Sequence, residues 1–211
     1  MRMRRKPNLE PRIARCGHLL VTQPEDLCGH WLEESAFNEL HIELGCGKGR
    51  FTVEMAKSEP EILFIALEKT ANVIVIALEH AAREGLQNVL FINELADNLT
   101  DYFVPGEVSR IYINFCDPWP ANRHIKRRLT GQRFLEAYRN VLRCNGEIHF
   151  KTDDLPLFEF SLCEFEKCGF KLTEINRDLH KNGCTGVMTD YESKFYEQSV
   201  PIYKCIVKDK V

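Results

Sequence analysis

The sequence lacks any apolar run long enough to cross a membrane, and its basic N-terminus is not followed by the apolar core of a signal peptide. A membrane helix needs about 20 apolar residues, and a signal peptide needs an apolar core behind its positive charges. We therefore expect a cytoplasmic protein with no membrane partner.

The sequence also lacks paired cysteines, because its nine cysteines are an odd number and include no C-x-x-C pair. Cys163 and Cys168, and His180 and Cys184, are spaced too irregularly to predict the four convergent ligands of a zinc site. We interpret the cysteines as reduced, small hydrophobic residues that pack in or beside apolar segments, as at Cys144, and we expect no metal.

No repeat, low-complexity tract or linker divides the 211 residues, of which 44% are hydrophobic. We predict one domain over 1–211, with a basic N-terminal extension at about 1–30. The net charge is −3, yet residues 1–15 hold six Lys or Arg against one acid, and residues 118–135 hold five and no acid. Two such local concentrations of positive charge favour a polyanionic partner, although the first can also be a solvated surface.

Apolar runs that predict strands alternate with helical patterns. We predict seven strands, near 40–44, 63–67, 89–93, 110–115, 146–151, 171–176 and 201–207. We predict helices near 49–57, 70–84, 130–141 and 155–168, and an ordered loop with one helical turn over about 177–200. This alternation favours an α/β fold with a mostly parallel sheet and helices on both faces.

A glycine-rich turn follows the first strand and reads Glu43-Leu44-Gly45-Cys46-Gly47-Lys48-Gly49. Its G-x-G-x-G spacing differs from the G-x-G-x-x-G of dinucleotide sites, which offer a helix N-terminus to a pyrophosphate. Glu43 would repel a pyrophosphate and favour a cationic ligand. The turn therefore fits the methionine part of S-adenosylmethionine.

A second acid, Glu68, ends the next strand and lies 19 residues after Gly49. An acid at about this distance accepts hydrogen bonds from ribose hydroxyls in nucleoside sites. A glycine turn or an acid after a strand is weak evidence alone, but the two at matched spacing predict a nucleoside-type cofactor.

The fourth strand ends in Asp117-Pro118-Trp119-Pro120, a stiff loop that fixes one carboxylate at the rim of the sheet. Trp119 can be either a buried anchor or a stacking platform for a base. A basic run follows directly, and cations beside an aromatic group are typical of a nucleic-acid site. The fifth strand ends at Asp153, which either faces the same cleft or caps the next helix.

These motifs, together with Arg123-His124-Ile125-Lys126-Arg127-Arg128-Leu129, Phe150-Lys151-Thr152-Asp153 and Thr189-Asp190-Tyr191-Glu192-Ser193-Lys194-Phe195, resemble those of the bacterial tRNA (guanine-N7-)-methyltransferases. The likeness runs from the basic start to the last strand. It implies a Rossmann-like class I methyltransferase fold and methyl transfer from S-adenosylmethionine to N7 of a guanine in the tRNA variable loop. It implies no metal, and we expect a monomer or a homodimer.

The resemblance also implies a role for particular residues. Asp117 would be the catalytic residue, between cofactor and guanine. The cofactor would be held by Glu43, Gly45, Gly47, Gly49, Glu68, Asn93, Leu95 and Asp117. The RNA and its guanine would be held by Arg123, His124, Lys126, Arg127, Arg128, Lys151, Asp153, Thr189, Tyr191 and Glu192.

The sequence departs from the family pattern at two positions. Leu95 stands where the family usually has an acid, so that Asn93, Glu94, Asp97 or backbone groups are the candidates for the polar contact to adenine. Ala121 stands where a lysine is usual, which removes a substrate contact. Two other functions remain open, namely a small-molecule methyltransferase of the same fold and an RNA-binding module without turnover.

Overall fold

A single sheet contains a strand near each of the seven predicted positions. The structure is a computed structural model that describes residues 8–33 and 35–209, so that residues 1–7 of the basic N-terminal segment lie outside the described residues. The strands are β1 Leu20–Val21, β2 Glu39–Leu44, β3 Ile62–Leu67, β4 Val89–Ile92, β5 Val108–Asn114, β6 Leu142–Thr152, β7 Phe170–Asn176 and β8 Tyr203–Asp209.

The predicted number of strands is wrong by one, because β1 gives the sheet eight strands within residues 8–33 and 35–209. This strand has only two residues and pairs in parallel with β4, as Leu20 with Phe91 and Val21 with Ile92. Two residues are too short to show the alternation from which strands are predicted.

The strand order is β1-β4-β3-β2-β5-β6-β8-β7. Neighbours from β1 to β6 are parallel, whereas β8 runs antiparallel to both β6 and β7. The sheet is therefore mostly parallel, as predicted. The carboxyl ends of β2, β3, β4, β5 and β6 meet at one edge, where an open sheet of this kind binds its ligands.

The helices are α1 Leu9–Arg15, α2 Arg50–Ser58, α3 Ala71–Glu84, α4 Leu99–Tyr102, α5 Gln132–Val141, α6 Leu155–Lys167 and α7 Asp190–Glu197. The four predicted helices correspond to α2, α3, α5 and α6. The single helical turn predicted within the loop over 177–200 is too short for α7, a two-turn helix that begins with a capping box formed by Thr189 and Glu192. This box satisfies free backbone N–H groups at the start of the helix. The weak hydrophobic periodicity of the segment does not show how far the helix continues.

Helices cover both faces of the sheet, as predicted. Alternate residues of β3 point to opposite sides, with Ile65 in a core beside α4, α5 and α6 and Phe64 in a core beside α2 and α3. Helix α1 packs on α3, where the Arg12 guanidinium donates to both Glu79 carboxylate oxygens at 2.7 and 2.6 Å.

The nine cysteines are free thiols, but they do not all pack in the interior. Cys16, Cys46 and Cys205 are buried, whereas Cys144, Cys163 and Cys184 are exposed. The packing interpretation is therefore wrong for the exposed group, because β6 meets solvent at Cys144. Over the described ranges, no group of three or more His, Cys, Asp or Glu side chains is arranged to hold a metal ion.

Candidate active site

A cavity of about 950 Å³ opens at the carboxyl ends of the parallel strands. Its wall is formed by the turns after β2, β3, β4 and β5 and by α7. The structure brings together on this wall the predicted residues Glu43, Gly45, Gly47, Glu68, Leu95, Asp117, Lys126, Arg127, Thr189 and Tyr191.

The three glycines after β2 have different structural roles. Gly45 and Gly47 adopt left-handed φ angles of +80° and +58°, and a Cβ added at either would meet nothing within 4 Å. Gly49 also has a positive φ, of +78°, but its Cβ would lie 2.6 Å from that of Ala77 on α3. The first two glycines thus leave room for a ligand, and Gly49 lets α2 pack against α3.

Glu43 lies at the floor of the cavity, and its side chain is only 3% exposed. Its carboxylate accepts hydrogen bonds from the Thr52 hydroxyl and, at 2.9 Å, from Asn114 Nδ2. Burial raises the pKa of Glu43, against the lowering effect of those two hydrogen bonds. The surrounding donors therefore fix the direction of a carboxyl group that water does not solvate.

Glu68 follows β3, and its carboxylate holds the turn after β2 and the turn after β3 in place. Its carboxylate accepts from the Gly47 amide at 3.3 Å and from the Thr70 amide at 2.8 Å. A carboxylate has about four acceptor sites, so that acceptor capacity remains toward the cavity. Asn93, predicted at the cofactor, instead donates from Nδ2 to the Glu68 carbonyl at 2.7 Å and supports this turn from behind.

The wall beyond β4 combines apolar and ionic groups. Leu95 is 48% exposed and lines the cavity together with Ala96 and Asp97. Asp97 accepts from the Arg133 guanidinium at 2.7 Å, and Arg133 also lines the cavity. This wall therefore offers both an apolar contact surface and a carboxylate held in place by a cation.

Asp117 lies on the loop after β5, with its side chain 66% exposed. The Lys69 ammonium is 3.6 Å from its carboxylate. Phe115 and Trp119, on either side, have left-handed φ angles of +53° and +43°, which non-glycine residues seldom adopt. Strained residues of this kind concentrate at functional sites, and here they bracket the exposed carboxylate.

Trp119 is half-buried and lines the cavity, so that it is not simply an interior anchor. The Arg127 guanidinium lies 4.9 Å from the centre of its ring, and His124 meets it edge-on at 5.5 Å. Arg123 and Lys126 are exposed on the 3-10 helix Asn122–Arg127. These side chains form a basic and aromatic surface at the mouth of the cavity.

Arg128 differs from the rest of the basic run because it is buried. Its guanidinium donates to the carbonyls of Pro118 and Trp119 at 3.0 and 3.2 Å and stacks on Phe160 at 4.3 Å. It therefore holds the Asp117 loop in shape, and its donors point away from solvent.

Lys151 and Glu192, both predicted at the substrate, form a buried cluster behind the cavity wall. The Lys151 ammonium donates to both Glu192 oxygens at 3.1 and 2.8 Å and to the Val187 carbonyl at 3.2 Å. His180 Nε2 and the Thr189 amide complete the contacts of the Glu192 carboxylate, at 2.9 and 3.2 Å. This cluster fixes the start of α7.

The structure supports neither interpretation of Asp153. Asp154, not Asp153, caps α6, because its carboxylate accepts from the Leu157 amide at 2.6 Å. Partial burial raises the pKa of Asp153, and the neighbouring Asp154 adds to this rise. The capping alternative for Asp153 is therefore wrong, and its carboxyl group lies beside the carboxyl end of β6 without lining the cavity.

Two thiols line the cavity, those of Cys46 and Cys116. Burial raises the pKa of both, to about 12 for Cys116. The thiolate is the nucleophilic form of cysteine, so that neither residue is suited to covalent catalysis at neutral pH.

Sequence reasoning missed several residues of the wall, among them Arg50, Lys69, Arg133 and Lys194. Arg50 and Lys69 follow directly on Gly49 and Glu68, and their positions beside the motifs are a signal that could have identified them. Arg133 lines the cavity and contacts Asp97, 36 residues earlier, and no local pattern reveals this contact.

Comparisons with known proteins agree with this geometry. Residues 38–205 match the family model described as "Putative methyltransferase". The chain is 44% identical to the tRNA (guanine-N(7)-)-methyltransferase of Oceanobacillus iheyensis over 207 residues, which cover 97% of each chain.

Solved structures of other methyltransferases share the fold. The 16S rRNA methyltransferase KamB is 15% identical, with a TM-score of 0.64, over 83% of this chain and 90% of its own. A mutant 16S rRNA (adenine(1408)-N(1))-methyltransferase from Catenulisporales acidiphilia, solved with cosubstrate SAM, is 11% identical, with a TM-score of 0.57, over 83% and 88%.

These likenesses confirm the predicted class I methyltransferase fold. The full-length identity to the Oceanobacillus protein and the match over residues 38–205 also confirm the resemblance that the sequence motifs carry. This chain belongs to the tRNA (guanine-N7-)-methyltransferase family.

Proposed function

We propose that this protein transfers the methyl group of S-adenosylmethionine to N7 of a guanine in the variable loop of tRNA. The observation that carries the proposal is the position of Asp117. Its exposed carboxylate lies on a strained loop that joins the wall built by Glu43 and Glu68 to the basic surface around Trp119. Membership of the family supports the same function. We also propose that the protein acts in the cytoplasm, as a monomer or a homodimer.

The residues at the glycine turn fit S-adenosylmethionine. Gly45 and Gly47 leave open space where a side chain would block a ligand, and the Glu43 carboxyl group would attract the cationic methionine part of a bound cofactor. Glu68 keeps acceptor sites for ribose hydroxyls, while Leu95 and Asp97 offer apolar and polar contacts to adenine. Gly49 and Asn93 act by holding these turns in place. When bound, S-adenosylmethionine supplies an electrophilic methyl group on a sulfonium sulfur.

Guanine N7 carries a lone pair in the plane of the ring, so that no base has to remove a proton before it attacks. The main tasks of the protein are to align this nucleophile and to stabilise the positive charge that develops on the imidazole part of guanine. Asp117 performs the second task by accepting a hydrogen bond from the base edge and by its negative field. Its exposure in the free protein leaves it accessible to the guanine.

The basic surface holds the RNA. Arg123, Lys126 and Arg127 have exposed cationic groups suited to phosphates, and His124 and Trp119 add stacking surface. Asp153, Thr189 and Tyr191 are our candidates for contacts to the guanine and its neighbours. Arg128, Lys151 and Glu192 are buried, and we assign them to positioning the loop and α7 instead of to direct contact.

The test is incubation with an unmodified tRNA transcript and S-adenosylmethionine, followed by nucleoside mass spectrometry. We expect 7-methylguanosine from the transcript and none from a matched transcript in which 7-deazaguanosine replaces guanosine, because that base has no N7 nucleophile. Methylation of free guanine nucleotides but not of tRNA would favour a small-molecule enzyme. Cofactor and tRNA binding without 7-methylguanosine would favour an RNA-binding module.

A further inference from the structure

Arg50 connects the glycine turn to the far wall of the cavity. It is the first residue of α2 and follows Gly49 directly. Its Nη1 donates to the Ser193 hydroxyl at 2.7 Å and lies 3.8 Å from the Asp190 carboxylate. Both partners belong to α7, so that one guanidinium joins the helix after the glycine turn (residues 43–49, hereafter the cofactor turn) to the helix that carries Tyr191.

The acceptor is well defined. The Ser193 hydroxyl donates its own proton to the Thr189 carbonyl at 3.2 Å, which leaves its lone pairs for Arg50. A charged donor on a neutral acceptor gives a stronger hydrogen bond than two neutral groups. Asp190 in the first turn of α7 adds a weaker, solvent-screened attraction.

Other contacts hold α7 on its other sides, among them those of His180 with Glu192 at 2.9 Å and with the Tyr196 ring at 5.3 Å. The buried pair of Lys151 and Glu192 ties its first turn to the end of β6, and the Phe195 ring stacks on Phe115 at 5.9 Å. Phe115 belongs to the Asp117 loop. Helix α7 therefore contacts β6, the Asp117 loop and, through Arg50, the cofactor turn. These contacts place the exposed Tyr191 of α7 and its half-buried N-cap residue Thr189 at the cavity wall.

We propose that Arg50 is a positioning residue, which fixes α7 relative to the cofactor turn and thereby sets where Thr189 and Tyr191 meet the substrate. This inference rests on the proposed function for its substrate, but the contact itself belongs to the free protein. Arg50 also lines the cavity. Direct contact with the cofactor or with an RNA phosphate is therefore the rival role that the experiment has to separate.

The kinetic experiment compares Arg50→Ala, Ser193→Ala and the double variant with wild type. Lys57→Ala is the matched control, because it removes a cation from the same helix, α2. The Lys57 ammonium lies 2.9 Å from Glu84 and 3.6 Å from Glu54, away from α7. We expect Arg50→Ala to raise KM for tRNA about 5- to 10-fold, with cofactor Kd and kcat within about two-fold. Ser193→Ala should raise KM by a smaller factor and add nothing to Arg50→Ala.

Three results would overturn the proposal. A parallel rise in cofactor Kd would make Arg50 a cofactor ligand. If the slope of log KM against log salt were smaller by about one in Arg50→Ala than in wild type, Arg50 would be a phosphate contact. If KM for tRNA in the double variant rose by the product of the two single effects, Arg50 and Ser193 would act separately.

Hydrogen exchange on the protein alone tests the contact independently of turnover. We expect the amides of residues 190–197 to exchange faster in Arg50→Ala and Ser193→Ala than in wild type or Lys57→Ala, because one restraint on α7 is gone. Unchanged exchange in α7 would overturn the proposal. If wild type forms no 7-methylguanosine but this difference is present, the proposed function fails while the role of Arg50 in placing α7 stands.

Discussion

The two halves of the cavity are built in different ways. The cofactor half comprises Glu43 to Gly49 and Glu68, and the substrate half comprises Phe115 to Arg128 and α7. Glu43 is 3% exposed and accepts two hydrogen bonds from buried neighbours, whereas the Asp117 side chain is 66% exposed on a loop. Of these two acids, Glu43 is thus part of the interior, whereas Asp117 faces solvent.

The two halves therefore differ in whether the same residues serve both ligand binding and folding. In the cofactor half, the groups that would hold the ligand also hold the turns together, as Glu68 does by accepting from two backbone amides. In the substrate half, the groups that would meet RNA are exposed and are supported from behind by Arg128 and by the pair of Lys151 and Glu192. Variants in the first half should therefore affect stability and cofactor affinity together, and those at the exposed positions should affect only reaction or RNA binding.

The largest effect is expected at the exposed acid. Asp117→Asn keeps the shape of the side chain but removes the charge that would stabilise the methylated guanine. We expect kcat to fall about 100-fold, a loss typical of removing one electrostatic contact from a transition state. The melting temperature, cofactor Kd and tRNA Kd should stay close to wild type. Single-turnover formation of 7-methylguanosine measures the step, and full turnover at unchanged tRNA affinity would contradict the role.

The buried acid should respond differently to the same type of substitution. In Glu43→Gln, a donor amide replaces one carboxylate oxygen, and the Thr52 hydroxyl, which donates in wild type, has to turn and accept from it while the remaining oxygen accepts from Asn114 Nδ2. We expect a loss of about 2 kcal/mol in the free energy of unfolding, because weaker hydrogen bonds between neutral groups replace two buried bonds to a carboxylate. Cofactor Kd should rise about 10-fold.

Denaturant titration and calorimetry of S-adenosylhomocysteine binding measure the two effects of Glu43→Gln. A normal melting temperature with weakened binding would place Glu43 in the same class as Asp117 and remove the contrast between the halves.

The glycines sharpen the comparison within the cofactor half. Gly49→Ala brings a Cβ to 2.6 Å from that of Ala77 at a left-handed φ, and we expect it to cost about 3 kcal/mol of stability. Gly47→Ala meets nothing within 4 Å, so that its strain alone should cost about 1 kcal/mol. Its main effect should be weaker cofactor binding. Thermal unfolding with and without S-adenosylhomocysteine separates the two variants, and equal losses of stability would refute the distinction.

The sequence was sufficient for the parts of this molecule that have a local pattern. Strands such as Ile62–Leu67 are continuous apolar runs, and the glycine turn and Glu68 are recognisable by their spacing. Helix α7 was predicted only as one helical turn within a loop, because the segment lacks strong hydrophobic periodicity, and β1 was missed because it has two residues.

Burial of charged residues could not be predicted in the same way. Arg128 and Arg127 are neighbours in one basic run, yet only the structure shows that the first is buried under the Asp117 loop and the second is exposed. Lys151 and Glu192 are 41 residues apart, and their pairing depends on how the loop before α7 returns to β6. A charge pattern identifies cations but not the direction in which each one points.

The last comparison uses these neighbouring cations and has the smallest expected effect. Arg123→Ala removes an exposed cation, so that KM for tRNA should rise about three-fold, with the slope of log KM against log salt reduced by about one and no change in melting temperature. Arg128→Ala leaves the Pro118 and Trp119 carbonyls without their donor, so that melting temperature and kcat should fall while the salt slope stays near wild type. A reduced salt slope in Arg128→Ala would instead mean that its buried guanidinium turns outward to reach RNA, and that the substrate half rearranges when tRNA binds.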